Sequence, residues 1–133
     1  MLFNIGVSAE NYLHRDPVYC LSKLRLFGDR LTQLLFEEHA LEFPRDNSFH
    51  NQLVMLSEED IVPTVVKDML FLLKKKGNAA VHDSKGSLKD AKEALESVFL
   101  IGKWYYTFVL YLIMQPVKEL FKGKGDWYYR QHT

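Results

Sequence analysis

Residues 16–36 read Asp16-Pro17-Val18-Tyr19-Cys20-Leu21-Ser22-Lys23-Leu24-Arg25-Leu26-Phe27-Gly28-Asp29-Arg30-Leu31-Thr32-Gln33-Leu34-Leu35-Phe36. Asp16 offers a carboxylate to the unpaired amides of a helix start. Pro17 at the first helical position lacks only an N–H that would have no partner there. Cys20, Leu21, Leu24, Phe27, Gly28, Leu31, Leu34 and Leu35 then recur at spacings of three and four, a single apolar stripe over about five turns. Lys23, Arg30, Glu37 and Glu38 take the opposite face. This is the pattern of a long helix with one buried side, and the rest of the chain follows the same period.

A short helix is expected from Asn47 or Ser48, with Phe49, Leu53 and Leu56 inward. Ser57-Glu58-Glu59-Asp60 sets a capping hydroxyl and acids ahead of Pro63, where a further helix begins with Val62, Val66, Met69, Leu70 and Leu73 on one side. Lys74-Lys75-Lys76-Gly77, cations followed by glycine, reads as its end. Asp83 to Gly86 is turn-forming, and Ser87-Leu88-Lys89-Asp90 has capping-box spacing with Asp for Glu. It opens the longest helix, with Ala91, Ala94, Leu95, Val98, Phe99, Gly102, Tyr105, Phe108, Val109 and Leu112 inward and Pro116 as its limit. No run alternates as a strand would, no repeat is present and no linker divides the chain. The expectation is one all-α domain over 1–133, an antiparallel bundle of four to five helices, with a basic aromatic C-terminal extension over 115–133.

The 133 residues carry 17 Lys/Arg and 17 Asp/Glu, a formal net charge of zero, which argues against a basic coat on nucleic acid. The zero is a cancellation. Residues 1–66 hold five basic and ten acidic side chains, and residues 67–133 hold twelve and seven. Either the two halves interleave in the bundle and the surface stays mixed, or the basic half meets an anion, phosphate or the acidic face of another chain. Cys20 is the single cysteine, so no disulfide framework is available. It lies on the apolar stripe and reads as a buried structural thiol, while His14, His39 and His50 are scattered without metal-site spacing. No metal and no cofactor are expected. Val98 to Met114 is the most apolar stretch, interrupted by Gly102, Lys103 and Thr107, and reads as core rather than a membrane span. Met1 to Glu10 lacks a secretory pattern, so the expected location is cytoplasmic.

Chemistry concentrates in Lys74-Lys75-Lys76-Gly77-Asn78-Ala79-Ala80-Val81-His82. If the helix runs on through Gly77, Lys74, Asn78 and His82 form one stripe, able to hold a phosphate or move a proton through the imidazole. If Gly77 ends it, Asn78 caps a new short helix and His82 serves the backbone. Arg25 and Arg30 flank the first long helix, where a charge is usually a solvated face; the alternative for Arg25, between Leu24 and Leu26, is that it reaches a buried carboxylate. Trp127, Tyr128, Tyr129 and Arg130 suit packing on the bundle or on a dimer partner, or stacking of nucleotide bases.

Several of these pieces come in a family's order. Asp16-Pro17, Leu24-Arg25-Leu26-Phe27-Gly28-Asp29, Ile61-Val62-Pro63, the Lys74–His82 stretch and Gly102-Lys103-Trp104-Tyr105-Tyr106 together resemble the helical N-terminal domain of type I restriction enzyme R subunits and related DEAD/DEAH-box helicases, over about residues 11–109. That domain also occurs on other chains as a domain of unknown function. The resemblance implies a non-catalytic accessory module that contacts motor and nuclease partner domains or nucleic acid through Lys74, Lys75, Lys76, Asn78 and His82. No phosphate-cradling Gly-Lys-Ser/Thr loop and no nuclease carboxylate constellation is present, so ATP hydrolysis and DNA cleavage are not expected of this chain. It would be a fragment of a larger protein or a stand-alone form. The family is also similar to the HEPN group, some of whose members are metal-independent RNases. Under that alternative, His82, Asn78 and Lys76 would be catalytic in a homodimer, with Lys76 standing where the group carries arginine. Lysine lacks the planar fork that arginine brings to a phosphate.

Overall fold

The computed structural model describes the backbone of residues 2–120 and the side chains of residues 2–107. Five helices follow in order: α1 (Leu2–Tyr12), α2 (Pro17–Glu38), α3 (Phe49–Glu58), α4 (Thr64–Asp83) and α5 (Leu88–Leu120). The described residues contain no strand, and the fold is an all-α bundle. The chain forms two compact units, Met1–Ile101 and Gly102–Thr133, with the boundary inside α5.

The first unit is organised on α2, which packs against α1, α3 and α4. Its stripe is buried as the spacing requires: Cys20, Leu21, Leu24, Phe27, Gly28, Leu31 and Leu35 are inside, joined by Thr32 and Phe36, with Leu34 half-buried. Each leucine fully removed from water there contributes about 1.5–3 kcal/mol against chain entropy. Thr32 is tolerated because its hydroxyl donates to the Gly28 carbonyl at 2.8 Å. Asp16 caps α2, its carboxylate accepting from the Tyr19 amide at 3.0 Å.

α1 is an element that the sequence pattern did not announce. Its buried residues are Leu2 and Ala9, too few to make a visible stripe. It turns back onto α2 through residues 13–16, where the Tyr12 and Tyr19 rings meet at 4.4 Å. α3 starts as expected, with the Ser48 hydroxyl accepting from the Asn51 amide at 3.1 Å. Ser57 does not cap the next helix. It belongs to α3, and residues 57–60 end that helix: the Ile61 amide reaches back to the Leu56 carbonyl at 3.0 Å and Asp60 turns left-handed at φ 56°. α4 then begins behind Pro63 with no side-chain cap.

Three further expectations are corrected. The Lys74-Lys75-Lys76-Gly77 run is not a helix end, since α4 continues to Asp83. Along α5 the buried positions are Ala91, Ala94, Ser97, Val98, Ile101 and Tyr105, so Phe99 falls one position off the inward face and is 67% exposed. Pro116 does not limit α5, whose backbone stays helical to Leu120. The side chains of Phe108, Val109 and Leu112, and the tail residues Trp127, Tyr128, Tyr129 and Arg130, lie outside those described. In the second unit the Thr107 hydroxyl donates to the Lys103 carbonyl at 2.8 Å, and the Tyr105 and Tyr106 rings are 6.1 Å apart.

Helices α2, α3 and α4 all stop in the left-handed conformation without glycine, at Ala40 (φ 51°), Asp60 (φ 56°) and Ser84 (φ 52°). At α4 the amides of Ser84 and Lys85 both turn back to the Ala79 carbonyl. A side chain in that region costs about 1–2 kcal/mol, which glycine avoids. Ser84→Gly is therefore expected to raise the urea midpoint, by the equivalent of about 1 kcal/mol; a fall would show that the Ser84 side chain has a compensating role.

Candidate functional site

α2 and α4 run antiparallel in close contact. Gly28 faces Leu70 and Leu73, while Arg25 faces Gly77, so rising numbers on one helix meet falling numbers on the other. At Gly77 the approach is so tight that an added Cβ would collide with Cβ of Arg25 and crowd Cγ and Cδ at 2.9 and 2.8 Å. The nearest atom is next to the Arg25 backbone, so shortening the side chain would not make room. Gly77 thus serves the crossing of two helices, which is why a glycine after three lysines leaves α4 unbroken.

The same crossing fixes a polar pair. Arg25 Nε donates to Asn78 Oδ1 at 2.9 Å, a bond between residues 53 positions apart. Because guanidinium nitrogens only donate, the bond orients the Asn78 amide with oxygen toward α2 and leaves its NH₂ group free to donate elsewhere. The sequence left Arg25 either as a solvated charge or as the partner of a buried carboxylate. The carboxylate near it is Asp29, one turn along α2, but the hydrogen bond goes to Asn78. Burial pushes the Asp29 carboxyl above its ordinary range, and Arg25 and Arg30 partly oppose that rise.

Lys76 goes the other way. Two residues along a helix point about 200° apart, so Lys76 leaves α4 on a different side from Asn78 and pairs with Asp90 of α5, Nζ to Oδ1 2.7 Å. Asp90 is also the capping residue read from the sequence: its amide donates to the Ser87 hydroxyl at 3.0 Å, and its Oδ2 accepts from the Ser87 amide at 3.3 Å. The hydrogen bond from Lys76, then those from Ser87, hold the Asp90 carboxyl below its ordinary value, and the same bond raises Lys76.

The proposed residues therefore separate. Lys74, Asn78 and His82 lie on consecutive turns of one unbroken helix, the first of the two readings. Asn78 is half-buried against Arg25, His82 and Lys75 are exposed, and Lys74 is half-buried. Lys76 is not with them. Arg25 is, and sequence spacing gave no sign of its partner, since nothing local ties residue 25 to residue 78. Cys20 is fully buried, and desolvation pushes its thiol up to about 11, which leaves no thiolate for nucleophilic chemistry. Among the described residues no group of three His, Cys, Asp or Glu side chains gathers to hold a metal ion, and no helix is long and apolar enough to cross a membrane.

These features define an all-α bundle domain whose polar junction joins its second and fourth helices. The chain belongs to the family described as Domain of unknown function (DUF4145), whose model matches residues 7–119, a wider span than the motifs alone suggest. It is also 31% identical over 107 residues to the type I restriction enzyme EcoKI endonuclease subunit of Escherichia coli (strain K12). That alignment covers 80% of this chain and 9% of the relative, so the chain spans less than a tenth of that protein's length. No solved structure matches it.

Two stability predictions follow from the junction. Replacing a helical glycine by alanine gains about 1 kcal/mol of propensity. At Gly28, where a Cβ would sit at an ordinary 3.5 Å from Phe49, that gain should be realised. At Gly77 overpacking of about 1–3 kcal/mol should exceed it. Urea melts should move up for Gly28→Ala and down for Gly77→Ala; equal shifts would refute the tight crossing. The second concerns pH. A depressed folded pKa makes the Lys76–Asp90 pair stabilising above the carboxyl's ordinary value of 3.8, and the contribution is lost as pH falls through the lowered value. Lys76→Gln should therefore be less stable than the parent at neutral pH, with the gap closing below about pH 4; a gap constant down to pH 2 would contradict the pairing.

Proposed function

We propose that this chain is a non-catalytic helical accessory domain of a restriction system, one that contacts partner domains through the α4 face from Lys74 to His82. The observation that carries the reading is the 31% identity with a stretch of a restriction endonuclease subunit, extending over 80% of this chain. A protein named as a subunit works with other chains, which makes protein partners the first expectation here. An antiphage role in the cytoplasm goes with that setting. Surface chemistry supports a contact on α4: Lys74 and Lys75 have no ion-pair partner among the described residues, whereas Lys76 is held by Asp90. Lys76 is thus a structural residue, and the accessory reading narrows to Lys74, Lys75, Asn78 and His82.

The alternative is a HEPN-like metal-independent RNase or its inactive descendant, acting as a homodimer. Pairing of Lys76 with Asp90 counts against the cation first assigned to it. One observation speaks for this alternative in altered form: the Arg25 guanidinium stands beside Asn78, one turn from His82. A base, an acid and a cation are what cleavage by the 2′-hydroxyl requires.

Two experiments separate these readings. Lys74→Glu with Lys75→Glu should weaken association with co-expressed motor or nuclease modules of a restriction system at least tenfold, with helicity by circular dichroism unchanged. Equal association would remove the basic face from the account. Single-stranded RNA incubated with the protein in EDTA should remain intact; cleavage that disappears in His82→Ala would replace the accessory reading with the enzymatic one.

A further inference from the structure

We propose that Arg25, Asn78 and His82 form a binding site for a phosphodiester of a polynucleotide backbone, with Arg25 of α2 supplying the cation. This rests on the reading of α4 as a contact face and specifies its ligand.

The geometry begins with Arg25. Its aliphatic stem lies over Gly77 and its Nε is spent on Asn78 Oδ1, so both ends of the side chain are held in place. The two terminal nitrogens carry four further N–H donors. Among the described residues they have no hydrogen-bond or ion-pair partner, and Asp29 acts on the group only through its field. The Asn78 amide, turned by the same bond, keeps its NH₂ donors unspent. His82 is exposed one turn later on the same face, about 6 Å along the helix. A guanidinium and an amide are thus held together at the α2–α4 junction, with an exposed imidazole one helical turn along α4. Three donor groups suit an oxyanion, and a fixed guanidinium suits phosphate in particular.

The choice of a polymer follows from the surroundings. Lys74 and Lys75 precede Asn78 by one turn, and Lys85 follows His82, none of them ion-paired among the described residues. From Lys74 to His82 the donors extend over about 12 Å at 1.5 Å per residue, with Lys85 just past the end of α4. That is longer than one carboxylate or one free phosphate can use, and it matches a chain of successive phosphates. The net charge of zero rules out a coat on nucleic acid, not a track of this size.

The test is fluorescence anisotropy of the full chain with a short fluorescein-labelled single-stranded oligonucleotide, in DNA and RNA arms, over a salt series. Inorganic phosphate serves as competitor. Arg25→Met keeps the stem over Gly77 and removes the charge. It should weaken binding about tenfold or more and flatten the log–log salt slope by about one phosphate contact. Phosphate should compete only at concentrations far above the oligonucleotide's Kd. His82→Ala, at an exposed position, should weaken binding as well and carries the test if Arg25→Met fails to fold. Unchanged affinity in either folded variant overturns the site. If Lys74→Glu with Lys75→Glu weakens binding while Arg25→Met does not, the site fails and the contact face stands. If the parent binds neither oligonucleotide, or free phosphate displaces the oligonucleotide near equimolar levels, the polynucleotide assignment is overturned. The accessory reading is then judged by partner association alone.

Discussion

The structure depends on how closely α2 and α4 approach at Gly77. With no Cβ there, the Arg25 stem can lie directly on the α4 backbone, and the Nε–Oδ1 bond to Asn78 closes the contact with directional chemistry. Apolar burial holds the helices together along Leu24, Leu31, Leu70 and Leu73, yet burial is not directional. The glycine and the hydrogen bond set the register. They also decide which polar groups surface together. A one-turn slip would carry Arg25 away from Asn78 and break the bond between them.

A second constraint ties α4 to α5. Asp90 meets Ser87 and Lys76 at once, so one carboxylate both starts a helix and anchors the turn that precedes it. α4 is thereby held on two sides, by Asn78 toward α2 and by Lys76 toward α5. Lys74, Lys75 and His82 remain for other uses. Lys76, the cation of the RNase alternative, is the lysine already committed to an ion pair.

Legibility in the sequence followed the range of the forces involved. The α2 stripe, the Asp16 and Ser48 caps and the Ser87–Asp90 box were readable because each depends on neighbours within about one turn. Helix ends were harder to see, since Ala40, Asp60 and Ser84 stand where glycine would have signalled the stop. Gly77 misled for the opposite reason: its role is interhelical, and a chain-local reading takes it as punctuation. α1 was missed because two buried residues make no period. In the candidate site, Asn78 and His82 were visible as a helical pair. Neither reading of Arg25, a solvated charge or a carboxylate's partner, named Asn78, and Lys76 was grouped with residues it turns away from. Both errors are failures to know which helix lies alongside, which pattern and propensity do not encode.

The α2–α4 junction is the natural place to test, because the tight approach at Gly77 and the Arg25–Asn78 bond meet there. The most direct measurement is a double-mutant cycle on Arg25→Met and Asn78→Ala, followed by urea denaturation. A half-buried bond with one charged partner predicts a coupling of about 1 kcal/mol or more. Strict additivity of the two losses would contradict the account, for the junction would then be a contact without energetic consequence.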